Sequence, residues 1–227
     1  VSTTPKDNLG KALLGYNIYY SYESDPFAFL DLSVDTTYLH AGAGNIYGNH
    51  YYYVTALYEE GESLPSNTAH EAIGIQTNNL VTGYQFVSSR FIPENPDMLV
   101  VVEEILNENL DFVRNSAGQM LRKIGPVWVN GIGDWIVEEG YLVKMLAADS
   151  FTICGEPVAP GTPIDVELGF QFVSYFPTAP MDALVAFETI IGDDLDFIRN
   201  SNGQMIRKIG PNWVNGIGDC NPGEGYL

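Results

Sequence analysis

A mainly β protein with α+β parts is what the sequence predicts: a β-sandwich over residues 1–76, then two homologous modules over 77–158 and 159–227, each one helix on an antiparallel sheet. Three observations predict it. The first 75 residues carry short alternating runs rich in Tyr, Phe, Val and Thr, set apart by turn residues. The second half is a tandem duplication. The length, 227 residues, suits two domains or three small ones at roughly 100 to 150 residues each.

In the first region GYNIYYSY, FAFLDL, TTYLHAG and HYYYVTALY are the strand candidates. Gly15-Tyr16-Asn17-Ile18-Tyr19 matches the third strand of a fibronectin type III domain, and Tyr53-Val54-Thr55-Ala56 matches the sixth. Gly61-Glu62-Ser63-Leu64-Pro65-Ser66 matches the turn into the last. On these residues the region resembles that family, which implies about seven strands in two sheets. His50 stands where the resemblance puts a corner tyrosine. Two strands should precede GYNIYY, but only about eleven polar, turn-like residues do, so the sandwich reads as lacking its N-terminal strands.

The duplication is explicit. Residues 110–134, LDFVRNSAGQMLRKIGPVWVNGIGD, and 195–219, LDFIRNSNGQMIRKIGPNWVNGIGD, are identical at 21 of 25 positions. Upstream, Gly83 to Ser88 aligns with Gly169 to Ser174; downstream, Glu139-Gly140-Tyr141-Leu142 aligns with Glu224-Gly225-Tyr226-Leu227. Each copy opens on a strand (GYQFVSSRF in the first). ENPDMLVVVEEILNE then reads as a helix, with Pro96 near its start and Asn95 or Asp97 as cap; Pro180 takes that place in APMDALVAFETIIGDD. LDFVRN and QMLRKIG form a hairpin whose turn glycine, Gly118 or Gly203, is free to take positive φ. EGYLVKM and SFTICG add one or two strands. Copy one runs on into VKMLAADSFTIC whereas copy two stops at Leu227, so the last module reads as lacking a C-terminal strand. Connectors are expected near Thr77-Asn78-Asn79 and Glu156 to Pro163.

The Gly-aromatic opening strand, the Asn-Gly-Ile-Gly segment (Asn130 to Gly133, Asn215 to Gly218) and Glu-Gly-Tyr-Leu resemble a module of multimodular secreted or cell-surface proteins of Bacteroidetes-type bacteria. That resemblance implies spacer or adhesive segments exported to the surface, and brings no catalytic residues with it.

Charge narrows the partners. With 10 Lys+Arg against 29 Asp+Glu the net charge is −19, which repels phosphate backbones and anionic headgroups; neither nucleic acid nor membrane insertion is expected. No apolar run reaches the ~18–20 residues that span a bilayer. Cys154 and Cys220 fit two isolated thiols or one disulfide.

Site candidates follow from the repeat. Asp111, Asp134 and Glu139 recur as Asp196, Asp219 and Glu224, the carboxylates available for a calcium ion, although no D-x-D-x-D-G loop surrounds them. No other cofactor is implied. Arg114, Arg122 and Lys123 recur as Arg199, Arg207 and Lys208 and put the cationic charge on one strand pair, as an interaction surface or as charges that keep an edge from pairing. Trp128 and Trp213, with Tyr51, Tyr52, Tyr53 and Tyr58, are candidates for stacking on glycans. Asp35-Thr36-Thr37 resembles the short acceptor of Bacteroidetes-type O-glycosylation, with Thr36 as the modified residue. His40, His50 and His70 all lie in the first region and read as surface or turn residues, leaving no Ser-His or Cys-His set inside either copy.

The expectation is a non-enzymatic, extracellular structural or adhesive segment of a bacterial surface protein, assembling with copies of itself or neighbouring modules, as a filament built by strand exchange. The two unfinished edges fit that assembly or a piece of a longer chain. A carbohydrate-binding accessory region of a secreted hydrolase is the alternative.

Overall fold

Alternation becomes strand almost throughout the computed structural model, which describes residues 12–192 and 194–227. The fold is mainly β, with several antiparallel sheets and little helix. The chain divides into two compact units, Val1–Gly74 and Ile75–Leu227.

In the first unit β1 (Leu13–Tyr22) lies between β2 (Ala28–Ser33) and β3 (Gly48–Tyr58). β4 (Gly61–Glu62) and the start of β5 (Ala69–Leu80) both pair with β3. The described strands of this unit form one antiparallel sheet in the order β2-β1-β3-β5. TTYLHAG is not among them. The Ser33 hydroxyl donates to the carbonyls of Asp35 and Thr37, which turns the chain out of the sheet there. The expectation that the N-terminal strands of a sandwich are lacking rests on residues 1–11, which lie outside the described residues.

Register sets the tyrosines on both faces, since Tyr19 pairs with Tyr53 and Tyr20 with Tyr52. On one face His50 is 1% exposed, which corrects its reading as a surface residue. Its Nε2–H donates to the Ile46 carbonyl at 2.7 Å, leaving Nδ1 to accept the Tyr20 hydroxyl at 3.0 Å. His40 is half-buried against Tyr52, and only His70 is exposed. On the other face Tyr19 stacks on Tyr53 at 4.7 Å, with Phe27 and Phe29 alongside.

The second unit holds both copies of the repeat. Copy one contains β6 (Gly83–Val87), β7 (Phe91–Pro93), α1 (Met98–Val101), β8 (Leu110–Arg114), β9 (Met120–Ile124), β10 (Val127–Asn130), β11 (Tyr141–Met145) and β12 (Asp149–Pro157). One sheet runs β10-β9-β8-β11-β6, and β12 joins β5 to β7. Leu80, Val87, Met98, Ile105, Leu121, Tyr141, Val143, Phe151 and Ile153 belong to its core. Copy two contains β13 (Met181–Asp182), α2 (Ala183–Ala186), β14 (Phe197–Arg199), β15 (Met205–Ile209), β16 (Asn212–Asn215) and β17 (Asp219–Cys220), with β14-β15-β16 as its sheet.

The hairpin turns are as expected: Gly118 has φ +81° and Gly203 +79°. Three expectations are corrected. The long helix shrinks to one turn in each copy, capped by Asp97 or Asp182; one turn suffices to bury Met98 and Val101, or Ala183, and in copy one the β-branched run Val100-Val101-Val102 also opposes continuation. The segment with Trp128 or Trp213 is a third meander strand and not a connection. Thr77-Asn78-Asn79 is no connector either, because it lies within β5, where Gln76 Nε2 donates to Asn78 Oδ1 and to the Ser88 carbonyl. Cys154 and Cys220 are both free thiols, and burial pushes the Cys220 thiol up to about 12.

The two copies are laced together by reciprocal bonds. Gly140 N–H donates to the Phe172 carbonyl at 2.9 Å, and its counterpart Gly225 N–H donates to the Phe86 carbonyl at 3.0 Å. Ser174 N–H donates to Glu138 while Ser88 N–H donates to Gly223. The Ser116 hydroxyl accepts Phe172 N–H at 2.8 Å, and the Ser201 hydroxyl accepts Phe86 N–H at 2.7 Å. Between these bonds Phe86 meets Phe172, ring centroids 5.3 Å apart. So close a backbone approach explains the glycines: a Cβ on Gly140 would lie 2.9 Å from the Val173 carbonyl oxygen, and one on Gly225 3.0 Å from that of Val87. Gly140→Ala is expected to cost about 1–3 kcal/mol, read as a lower urea midpoint, and to loosen amides of the other copy around Val173.

Candidate functional site

Duplication supplies an internal control for what each strand needs. In copy one β11 pairs antiparallel with two neighbours at once: Leu142 faces Phe86 and Arg114, Val143 faces Gln85 and Val113, and Lys144 faces Tyr84 and Phe112. In copy two Tyr226 and Leu227 begin the same arrangement. Tyr226 exchanges both backbone bonds with Val173, and Leu227 exchanges both with Arg199. The sequence ends at Leu227.

Past that point the same residues behave differently. Gly83–Val87 is a strand, whereas Gly169 to Phe172, with nearly the same sequence, is not. Leu110–Arg114 is strand throughout, whereas LDFIR becomes strand only at Phe197. Local propensity is equal in the two copies, so the difference is the neighbour that accepts and donates backbone hydrogen bonds. Core packing changes with it. Leu80, Val102, Ile105 and Leu110 are buried; their counterparts Val166, Phe187, Ile190 and Leu195 are half-buried or exposed. Together with Phe170 and Ile198 these four line a groove of about 520 Å³ between residues 166–171 and 194–198. Leu168 at its lip is fully exposed and Phe170 73% exposed.

The acids expected as calcium ligands are not gathered. Asp111 is bound to Lys144 at 2.6 Å, and that bond raises the Lys144 ammonium above its ordinary range. Asp134 pairs by backbone with Asp97, and Asp219 with Asp182. Glu139 and Glu224 bridge by backbone to the opposite copy, at Val173 and Val87. The Glu139 carboxyl is raised by burial, and Glu224 Oε2 accepts the Tyr226 hydroxyl at 2.6 Å. Asp196, counterpart of Asp111, is exposed at the groove. Among the described residues no three His, Cys, Asp or Glu side chains come together to hold a metal ion.

The cationic residues divide between two faces. Arg114 and Arg122 share the outer face of the hairpin with Phe112, as Arg199 and Arg207 do with Phe197. Lys123 sits on the other face and pairs with Glu108 at 2.6 Å; Lys208 occupies the equivalent place. Trp128 and Trp213 pack against their own cores, so they are poorly placed for stacking on a sugar. Thr36 is exposed in a bend.

Asn130 and Asn215 play a part that the sequence did not announce. Asn215 Oδ1 accepts from Ile217 and Gly218 N–H, while Nδ2 donates to the helix-capping Asp182 and to the Gly218 carbonyl. Asn130 makes the same four bonds around Asp97. The groove residues were also missed. They come together from segments distant in sequence, residues 166–171 and 194–198, so no local pattern marked them.

Searches of protein-family models, curated proteins and solved structures find no match to this chain.

Peptide-resolved amide exchange is expected to separate the two copies. Segments 169–171 and 195–197 should exchange on the order of 100-fold faster than 83–85 and 110–112. Equal protection would mean that the groove is closed in solution.

Proposed function

We propose that the chain is a non-enzymatic structural or adhesive segment of a bacterial surface protein, joined to copies of itself by strand exchange into a filament. One observation carries this reading: the unit is present as a tandem duplicate whose copies bond to each other through main-chain groups, so backbone pairing is how this unit already associates. Pairing of that kind is also how a strand of one chain joins the sheet of another. In the duplicated unit Asp111, Lys123 and Lys144 are held in ion pairs and Asp134, Glu139, Asp219 and Glu224 in backbone pairing, which supports a scaffold over a reaction centre. Unit one adds to it. Its support is that β1 and β3, which carry the residues resembling the third and sixth strands of a fibronectin type III domain, lie side by side, with β5 after the matched turn on the far side of β3.

The carbohydrate-binding alternative keeps one observation in its favour, the aromatic strip of Tyr19, Tyr53, Phe27 and Phe29, the last two 40% and 56% exposed. On a glycan array, binding lost on Tyr53→Ala would favour it.

Electron microscopy and sedimentation of the purified chain test the main reading. Elongated multimers that grow with concentration are expected, and Phe170→Lys should abolish them while leaving the melting temperature within a few degrees. A chain that stays monomeric at high micromolar concentration overturns it.

A further inference from the structure

The outward face of the copy-one hairpin has the composition of an interface. Val113 and Leu121, both 0% exposed, point into the core, so the residues alternating with them point out. On that outer side Arg122 lies between Phe112 and Val129, and Arg114 lies opposite Met120. Ile124, Val127 and Val129 stay 53%, 58% and 42% exposed around them. Charges on a strand often guard a sheet edge, but β9 is flanked by β8 and β10, and the outermost strand, Val-Trp-Val-Asn, carries none. Neither guanidinium has an ion-pair or hydrogen-bond partner among the described residues. Copy two repeats the face, with Arg199 and Arg207 near Ile209 and Val214, themselves 51% and 42% exposed. Uncompensated arginines set among exposed aliphatic side chains are what a protein interface collects.

The complement is carried by the first unit. Residues 12–74 hold eight Asp and Glu and no Lys or Arg. Glu62 is occupied by the hydroxyls of Tyr19 and Thr55. Glu59 and Glu60, at the turn between β3 and β4, are exposed, and their carboxylates have no partner among the described residues. Leu64, just beyond them, is 90% exposed. We infer that the hairpin face binds the 59–64 turn of a second copy of this chain. The two carboxylates meet Arg114 and Arg122, and Leu64 covers part of the aliphatic rim. An anionic glycan would match the charge but leave Ile124, Val127 and Val129 in water, so a polypeptide fits better. The inference rests on the reading that copies of the chain join, and differs from it in the bond, which is side chain to side chain and not an exchanged strand.

Sedimentation of the whole chain at about 20 mM and about 500 mM salt tests it. Association should weaken about tenfold in the higher salt, which screens exposed ion pairs and spares exchanged strands. Reversing the face (Arg122→Glu with Arg207→Glu) or the turn (Glu59→Arg with Glu60→Arg) should each weaken association about tenfold at low salt. An equimolar mixture of the two variants should associate again, which also shows that both are folded. Association indifferent to salt and to both variants, or a mixture no better than its components, overturns the inference. So does a chain that stays monomeric yet binds polyuronate through Arg122, which would make the face a glycan site. The two readings fail separately. Multimers that persist in high salt and in both variants sink the docking contact alone. Salt-sensitive association restored by the mixture, with no new protection of backbone amides, sinks the strand exchange alone.

Discussion

An extended backbone keeps its shape only where its N–H and C=O groups find partners, and in the second unit the shared partner is β11. It is bonded on both sides, so it turns Gly83–Val87 and Leu110–Arg114 into one sheet and seals Leu80, Val102 and Ile105 beneath it. Remove that neighbour and near-identical residues lose regular structure on both flanks, as at Gly169 to Phe172 and at Leu195 and Asp196. Strand here is a property of the pair and not of the segment.

The lacing between copies follows the same logic. Ser116 and Ser201 sit in the hairpin turns, and each hydroxyl leaves its own copy to accept an N–H of the other. Ser88 and Ser174 donate their hydroxyls across to Glu224 and Glu139. A turn serine in a repeat is usually explained by the turn itself; here it also holds the partner copy in register. That dual duty is a physical reason for Gly140 and Gly225 to be glycines with ordinary backbone angles, kept small by what approaches them.

Much of this was legible in the residues. The duplication, the hairpins with Gly118 and Gly203, and the capping aspartate came from periodicity and turn chemistry that act locally. The long helix did not follow, because its apolar positions also fit one helical turn pressed on a sheet, and valine resists more. Thr77 to Asn79 misled for the opposite reason: asparagines favour turns, but the strand pairing of β5 holds them extended, and Asn78 Oδ1 accepts from Gln76. The groove between residues 166–171 and 194–198 was not legible in this way. Which side chains line it depended on contacts distant in sequence, such as Val166 against Leu195, and no local pattern encodes those.

The mutual embrace of the copies has an arithmetic consequence. The bonds of Gly140, Ser174 and Phe172 to the opposite copy are each returned by a mirror, so the contact is self-complementary and closes on itself. A closed pair offers no further site of the same kind to a third repeat. Longer versions of such a protein would therefore be built in even numbers, doublet after doublet, with growth between doublets left to some other surface.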